Sequence, residues 1–136
     1  AAGDNGRVDA AAIWFASVLG ALVVVFAGDG RAGLTLAVGA PVVELHVGAY
    51  CDATGAEQER QLARIVAAAA HAEKIGLECH AGHGLTFDTV APVAVIPTIA
   101  ELNIGHFLIG EAIFIGLEES IRSMRKLMDK ARSASA

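Results

Sequence analysis

The chain has 136 residues, 54% of them hydrophobic, and a formal net charge of −5. That apolar content is ample for a core and excludes a disordered chain, while the length fits one modest domain or a piece of a larger one. Lys and Arg are scattered until the C-terminal helix, so the basic stripe of a nucleic-acid-binding surface is missing and no nucleic-acid partner is expected.

Ala10 to Gly28 carries no charged residue, a stretch long enough to span a bilayer. Gly20 divides it into two patterns. Ala10 to Leu19 reads as helix, and Leu22 to Phe26 (LVVVF) reads as a β-branched strand closed by Gly28, Asp29 and Gly30. A buried helix followed by a buried strand accounts for both halves, because parallel strands covered on both faces give continuous apolar runs. The segment also lacks the basic start and cleavage site of a signal peptide. The soluble reading is therefore preferred to a membrane-anchored protein. A further helix is expected over Ala32 to Val38.

The pattern then alternates. Pro41 to His46 (PVVELH) is a short apolar strand carrying one acid. Ala56 to Ile75 is a long amphipathic helix with Leu62, Ile65, Val66 and Ala69 at helical spacing, stopped by Gly76. Leu77 to His80 is a second short strand running into the loop Ala81-Gly82-His83-Gly84. Asp88 is placed to cap a short helical piece from about Thr89, ended by Pro97, and Glu101 to Ile104 (ELNI) forms a third strand before Gly105-His106. One last helix, Gly110 to Ala131, sets Ile113, Leu117, Ile121, Met124 and Met128 along one side, and the tail 133–136 is expected to fray. Cys51 and Cys79 form no CxxC pair and no metal-ligand spacing. They read as free structural thiols of a reducing compartment, a disulfide being the lesser alternative.

Strands separated by helices are parallel strands joined by crossovers. Polar residues alternate within them, Glu44 with His46 and Glu101 with Asn103. An open sheet covered on both faces would want apolar residues there, whereas one face of a closed barrel turns inward and ends in the active site. The pattern favours a barrel.

Function in a barrel sits on the loops after the strands. One such loop region brings Glu44, His46 and Gly48, the next His80, Gly82, His83 and Gly84, and the third Asn103, Gly105 and His106. Glycines let backbone N–H groups approach a ligand, and a helix N-terminus just beyond favours phosphate. The loops thus point to a phosphorylated small molecule. His83, between two glycines, reads as functional, and Glu44 as paired or functional, since burying a lone acid is costly. His46 and His80 are open to either a structural or a functional reading. Glu78 and Glu101 fit the solvated lower rim. The five histidines offer no metal-ligand spacing.

The stretches VVELHVGAYCDA (Val42 to Ala53), HAGHGLTFDTV (His80 to Val90) and ELNIGHFLIGEAIFIGLEESIRSMRKLM (Glu101 to Met128) together resemble the pyridoxine 5′-phosphate synthase family, from about Val38 to Arg132. The resemblance implies an α/β fold of the (β/α)₈ TIM-barrel type. This chain would cover about the C-terminal four βα units, with residues 38–132 as strands six to eight and their helices, and residues 1–37 matching weakly. It implies a cytoplasmic, homo-oligomeric enzyme of vitamin B6 biosynthesis that condenses 1-deoxy-D-xylulose 5-phosphate with 3-amino-2-oxopropyl phosphate, releasing inorganic phosphate and water without metal or organic cofactor. By the same resemblance His83 is the proton donor, Gly84 contacts the amino-ketone phosphate, Gly105 and His106 bind phosphate, and Glu44 stabilises the transition state. Val47 stands where the family usually has Thr, which removes a hydroxyl near the site. The family's other histidine and glutamate bases belong to the N-terminal half, so catalysis is not expected from these 136 residues alone. The alternatives are a non-catalytic phosphate-binding half-barrel and another phosphate-using barrel enzyme.

Overall fold

The computed structural model describes Trp14–Val18, Ala21–Ala27 and residues 39–134. Five strands, β1 (Trp14–Val18), β2 (Ala21–Ala27), β3 (Val42–His46), β4 (Glu78–Gly82) and β5 (Ile99–Asn103), form one sheet in sequence order. β2, β3, β4 and β5 pair in parallel, and β1 pairs antiparallel with β2, Trp14 opposite Val25 and Val18 opposite Ala21. The helix expected over Ala10 to Leu19 is thus a strand from Trp14 to Val18. An uninterrupted apolar run does not distinguish the two states by period. Here Trp14, Phe15 and Val18 suit a strand, and pairing satisfies the backbone groups along the edge of β2. The strand expected at Leu22 to Phe26 is present as β2. The helix expected over Ala32 to Val38 lies outside the described residues. Among the described residues no helix is long and apolar enough to cross a membrane.

Helices follow β3, β4 and β5. α1 (Gly48–Asp52) and α2 (Gly55–Lys74) follow β3, α3 (Val90–Ala94) follows β4, and α4 (His106–Ile115) and α5 (Leu117–Ala134) follow β5. Along β3 the pleat sends Val43 and Leu45 into the core and leaves Val42, Glu44 and His46 on the opposite face. α2 answers with Ile65, Ala69 and Ala72, all buried and spaced to share one helix face. Its end is fixed by Gly76 at φ 81, where the Gly76 N–H bonds the Glu73 carbonyl at 3.0 Å and the Leu77 N–H bonds the Ala72 carbonyl at 3.0 Å. This reciprocal pair closes the helix and feeds buried Leu77 directly into β4. Cys79 and Ala81 of β4, Ile99 of β5, and Leu85, Val93 and Ile96 complete the core.

Three local readings are corrected. α3 is capped by Thr89 rather than Asp88, and the Thr89 Oγ1 accepts the Thr86 N–H at 2.9 Å. The single C-terminal helix is two helices, parted at Gly116 with φ 85. Ser120, buried on α5, donates to the Leu108 carbonyl at 2.9 Å and locks the two together. α5 also carries on through Ser133 and Ala134, with the Ser133 hydroxyl on the Asp129 carbonyl at 2.8 Å. At the β5 edge the Arg132 guanidinium donates to the Ile99 carbonyl at 2.6 Å.

Candidate active site

Parallel strands present their C-terminal ends along one edge, and here those ends carry Glu44 and His46 from β3, Gly82 from β4 and Asn103 from β5. A cavity of about 780 Å³ opens there, bounded by Glu44, His46, Gly48, Asp52, His83, Gly84, Asn103, Gly105, His106 and Phe107. The five residues singled out by the sequence, Glu44, His83, Gly84, Gly105 and His106, all line it.

Glu44 lies on the strand face opposite the core, and its Oε2 accepts the Asn103 amide at 2.7 Å. Between the two strands sits Gly82. A Cβ there would fall 2.5 Å from Glu44 Oε1 and 2.8 Å from the Asn103 carbonyl oxygen. The glycine is therefore what lets a carboxylate on one strand be held by an amide two strands away.

His83 follows at φ 75, the one described residue other than glycine with positive φ. That conformation costs on the order of 1 kcal/mol and turns the side chain from the strand direction into the cavity mouth, where it is exposed. Its ring lies against that of His46, centroids 4.1 Å apart and planes tilted by 32°. Burial, then the neighbouring His83, hold His46 below its usual range, while its own backbone and Asp52 pull the other way. Gly84 continues at φ 91, and a Cβ on it would meet Cys51 Cβ at 3.2 Å and Gly48 Cα at 3.4 Å. The loop is thereby seated on α1. Tyr50, buried on α1, donates to the Thr89 carbonyl at 3.1 Å and anchors that contact from below.

On the third loop Gly105 caps α4 and His106 opens it. The first N–H groups of a helix have no partner within it, so this end offers donors and positive partial charge to an anion. Nothing lies within 4 Å of a Cβ built on Gly105, so the protein's own packing leaves that approach clear. Phe107 meets Phe87 edge to face at 4.8 Å, joining this loop to the one bearing His83. The arrangement sets an exposed imidazole and a carboxylate held by an amide beside the N-terminus of a helix.

Some readings shift. Val47 is buried in the core and does not border the cavity, so a hydroxyl lost at that position is not one aimed into the site. His80 is outside the cavity and pairs through Nε2 with Glu78 Oε1 at 2.7 Å. His46, left open by the sequence, is inside it, as are Asn103 and Asp52, to which no role was attached. The clue to Asn103 was its place two residues after Glu101, on the alternating polar positions of the strand. Cys51 and Cys79 are free, with burial raising both thiols, Cys79 to about 11. Among the described residues no three His, Cys, Asp or Glu side chains are gathered as a metal site.

Fold and site together define an α/β protein whose polar groups converge at the C-terminal ends of parallel strands. The family described as pyridoxal phosphate biosynthesis protein PdxJ matches residues 19–130, and the chain belongs to that family. The match begins well ahead of Val38, taking in β2 and part of the region that resembled the family weakly. The pyridoxine 5′-phosphate synthase of Rhodospirillum rubrum is 69% identical over 96 residues, covering 70% of this chain and 39% of that protein. Those of Caulobacter vibrioides and Jannaschia sp. are 63% and 59% identical over 98 and 99 residues, covering 39% and 40% of those proteins. The chain thus spans about two fifths of the length of these curated relatives.

Proposed function

We propose that this chain supplies the phosphate-binding and proton-donating part of a pyridoxine 5′-phosphate synthase with a (β/α)₈ barrel. The four parallel strands β2 to β5 stand in place of the barrel's last four, and the face bearing Glu44, His46 and Asn103 is its inner wall. The single observation that carries the reading is the convergence of Glu44, His83, Gly84, Gly105 and His106 on one cavity at the strand ends.

In this reading the enzyme joins 1-deoxy-D-xylulose 5-phosphate to 3-amino-2-oxopropyl phosphate and releases inorganic phosphate and water. The phosphate of a substrate sits on the N-terminus of α4, held by the backbone at Gly105 and by His106. Gly84 gives the amino-ketone phosphate room against its backbone. His83 protonates the departing oxygen at a water-eliminating step, and the Glu44 carboxylate, fixed by Asn103, stabilises the transition state. The bases for the earlier condensation steps come from the N-terminal half of the barrel. The enzyme is placed in the cytoplasm as a homo-oligomer, with small phosphorylated molecules as its partners and no cofactor.

The test is a two-substrate assay on the protein at its full length, following pyridoxine 5′-phosphate and inorganic phosphate together. Equal amounts of both products from the two named substrates support the reading. Phosphate-ligand binding without product would point instead to a non-catalytic binder.

A further inference from the structure

The proposed roles leave His46 unused, although its ring is held in the cavity wall by two contacts. The Gly48 N–H donates to its Nδ1 at 3.3 Å. A Cβ on Gly48 would fall 2.6 Å from His46 Cε1, so the imidazole fills the space a side chain at position 48 would take. The ring so held is the one against which His83 packs, at 4.1 Å between centroids. His83 itself departs from the strand in the left-handed region at φ 75, and its ring comes to rest against His46.

We propose that His46 is the positioning residue of His83, held by Gly48 as the tautomer protonated on Nε2, so that it seats the His83 ring and leaves His83 as the member of the pair that carries a proton. The proposal rests on the reading of His83 as the proton donor. Two imidazoles in ring contact resist holding two positive charges at this separation. His46 is the one that stays neutral, because protonating it on Nδ1 would break its bond to Gly48 and because it is the more buried ring. Burial and then the neighbouring His83 push its affinity for a proton down, outweighing the opposite pull of its own backbone and of Asp52. The other titratable groups lining the same cavity are Glu44 on β3, Asp52 on α1 and His106 on α4, and Cys51 of α1 packs against the neighbouring Gly84. The two carboxylates favour a single cation in the site, and the exposed ring of His83 is the one placed to hand its proton to a substrate.

The experiment is an NMR titration of the histidine Cε1–H signals in the full-length protein, assigned through the backbone, with His83→Gln and His46→Phe as variants. In the wild type His83 is expected to take up its proton at higher pH than His46. In His83→Gln the His46 midpoint should rise by about 0.5 unit or more, because a neighbouring positive charge has gone. His46→Phe, which keeps an aromatic face, should lower kcat about ten-fold and move the acidic limb of the kcat/KM profile while KM stays within about two-fold. His46 titrating at or above His83 in the wild type, which needs no variant, would overturn the proposal, as would an unmoved His46 midpoint in His83→Gln. A protein that makes no product but titrates in the expected order would sink the synthase reading and leave the pairing standing.

Discussion

The Asn103 side-chain amide crosses over Gly82 to donate a 2.7 Å hydrogen bond to the Glu44 carboxylate, tying β5 to β3 across the strand between them. An acid inside an apolar strand needs such a partner, and the register of all three strands is required to supply it. Asn103→Ala leaves the half-buried carboxylate without its donor, which should cost about 1–3 kcal/mol of stability. Asn103→Asp sets a second carboxylate against the first and should be worse still. Denaturant unfolding of the two variants measures both, and a carboxylate indifferent to its neighbour would leave them equal.

Gly82 is the passage through which that bond runs. Gly82→Ala places a methyl 2.5 Å from Glu44 Oε1 and 2.8 Å from the Asn103 carbonyl oxygen, the second of which is backbone and has little freedom to retreat. We expect about 1–3 kcal/mol of destabilisation together with displacement of Glu44. Thermal unfolding combined with a structure of the variant checks both parts.

Gly105→Ala should behave in the opposite way. Nothing lies within 4 Å of the added methyl, and the residue is not in the left-handed region, with φ −111. The melting temperature should stay within about 2 °C of wild type, since surface changes rarely exceed a few tenths of a kcal/mol. Phosphate affinity, read by calorimetry, should nonetheless fall about ten-fold or more, because the methyl blocks the closest approach to the helix end. Unchanged affinity would move the phosphate elsewhere.

Cys79 is buried with its thiol raised from 9.0 to about 11. At pH 8 only about one molecule in a thousand carries the reactive thiolate, so the native protein should resist alkylation at Cys79 and become labelled once unfolded. The sign of the stability effect follows. The native state holds this proton more tightly than the unfolded chain, so the contribution is complete below pH 9 and drains away as pH rises toward 11. Cys79→Ala should flatten the fall in stability across that window, as measured by chemical denaturation at several pH values.

The elements that were legible are those whose signals are local. β3 declares itself by alternation, and α2 by its apolar face and by Gly76, whose positive φ is what a helix end needs. α1 was missed because five residues are too few to show a period. The stripe Ile113, Leu117, Ile121, Met124 looked continuous because its spacing survives the break at Gly116. In the structure only Met124 is buried, while Ile113 is 79% exposed. The site was half legible for a similar reason. His83 and Gly105-His106 stand in short motifs that carry their own explanation. The role of His46 and of the Asn103–Glu44 bond depends on which strands lie side by side and in what register, and no window of the sequence contains that information.

The proposed chemistry needs His83 as an acid that acts on a ligand whose phosphate is held elsewhere. The direct measurement is His83→Ala in the full-length protein, with turnover and phosphate affinity determined side by side. Turnover should fall by about 10²–10⁴-fold, the usual worth of a positioned acid, with phosphate affinity unchanged within about two-fold. Equal loss of turnover and phosphate affinity would contradict it, because His83 would then be holding the ligand rather than serving the chemistry.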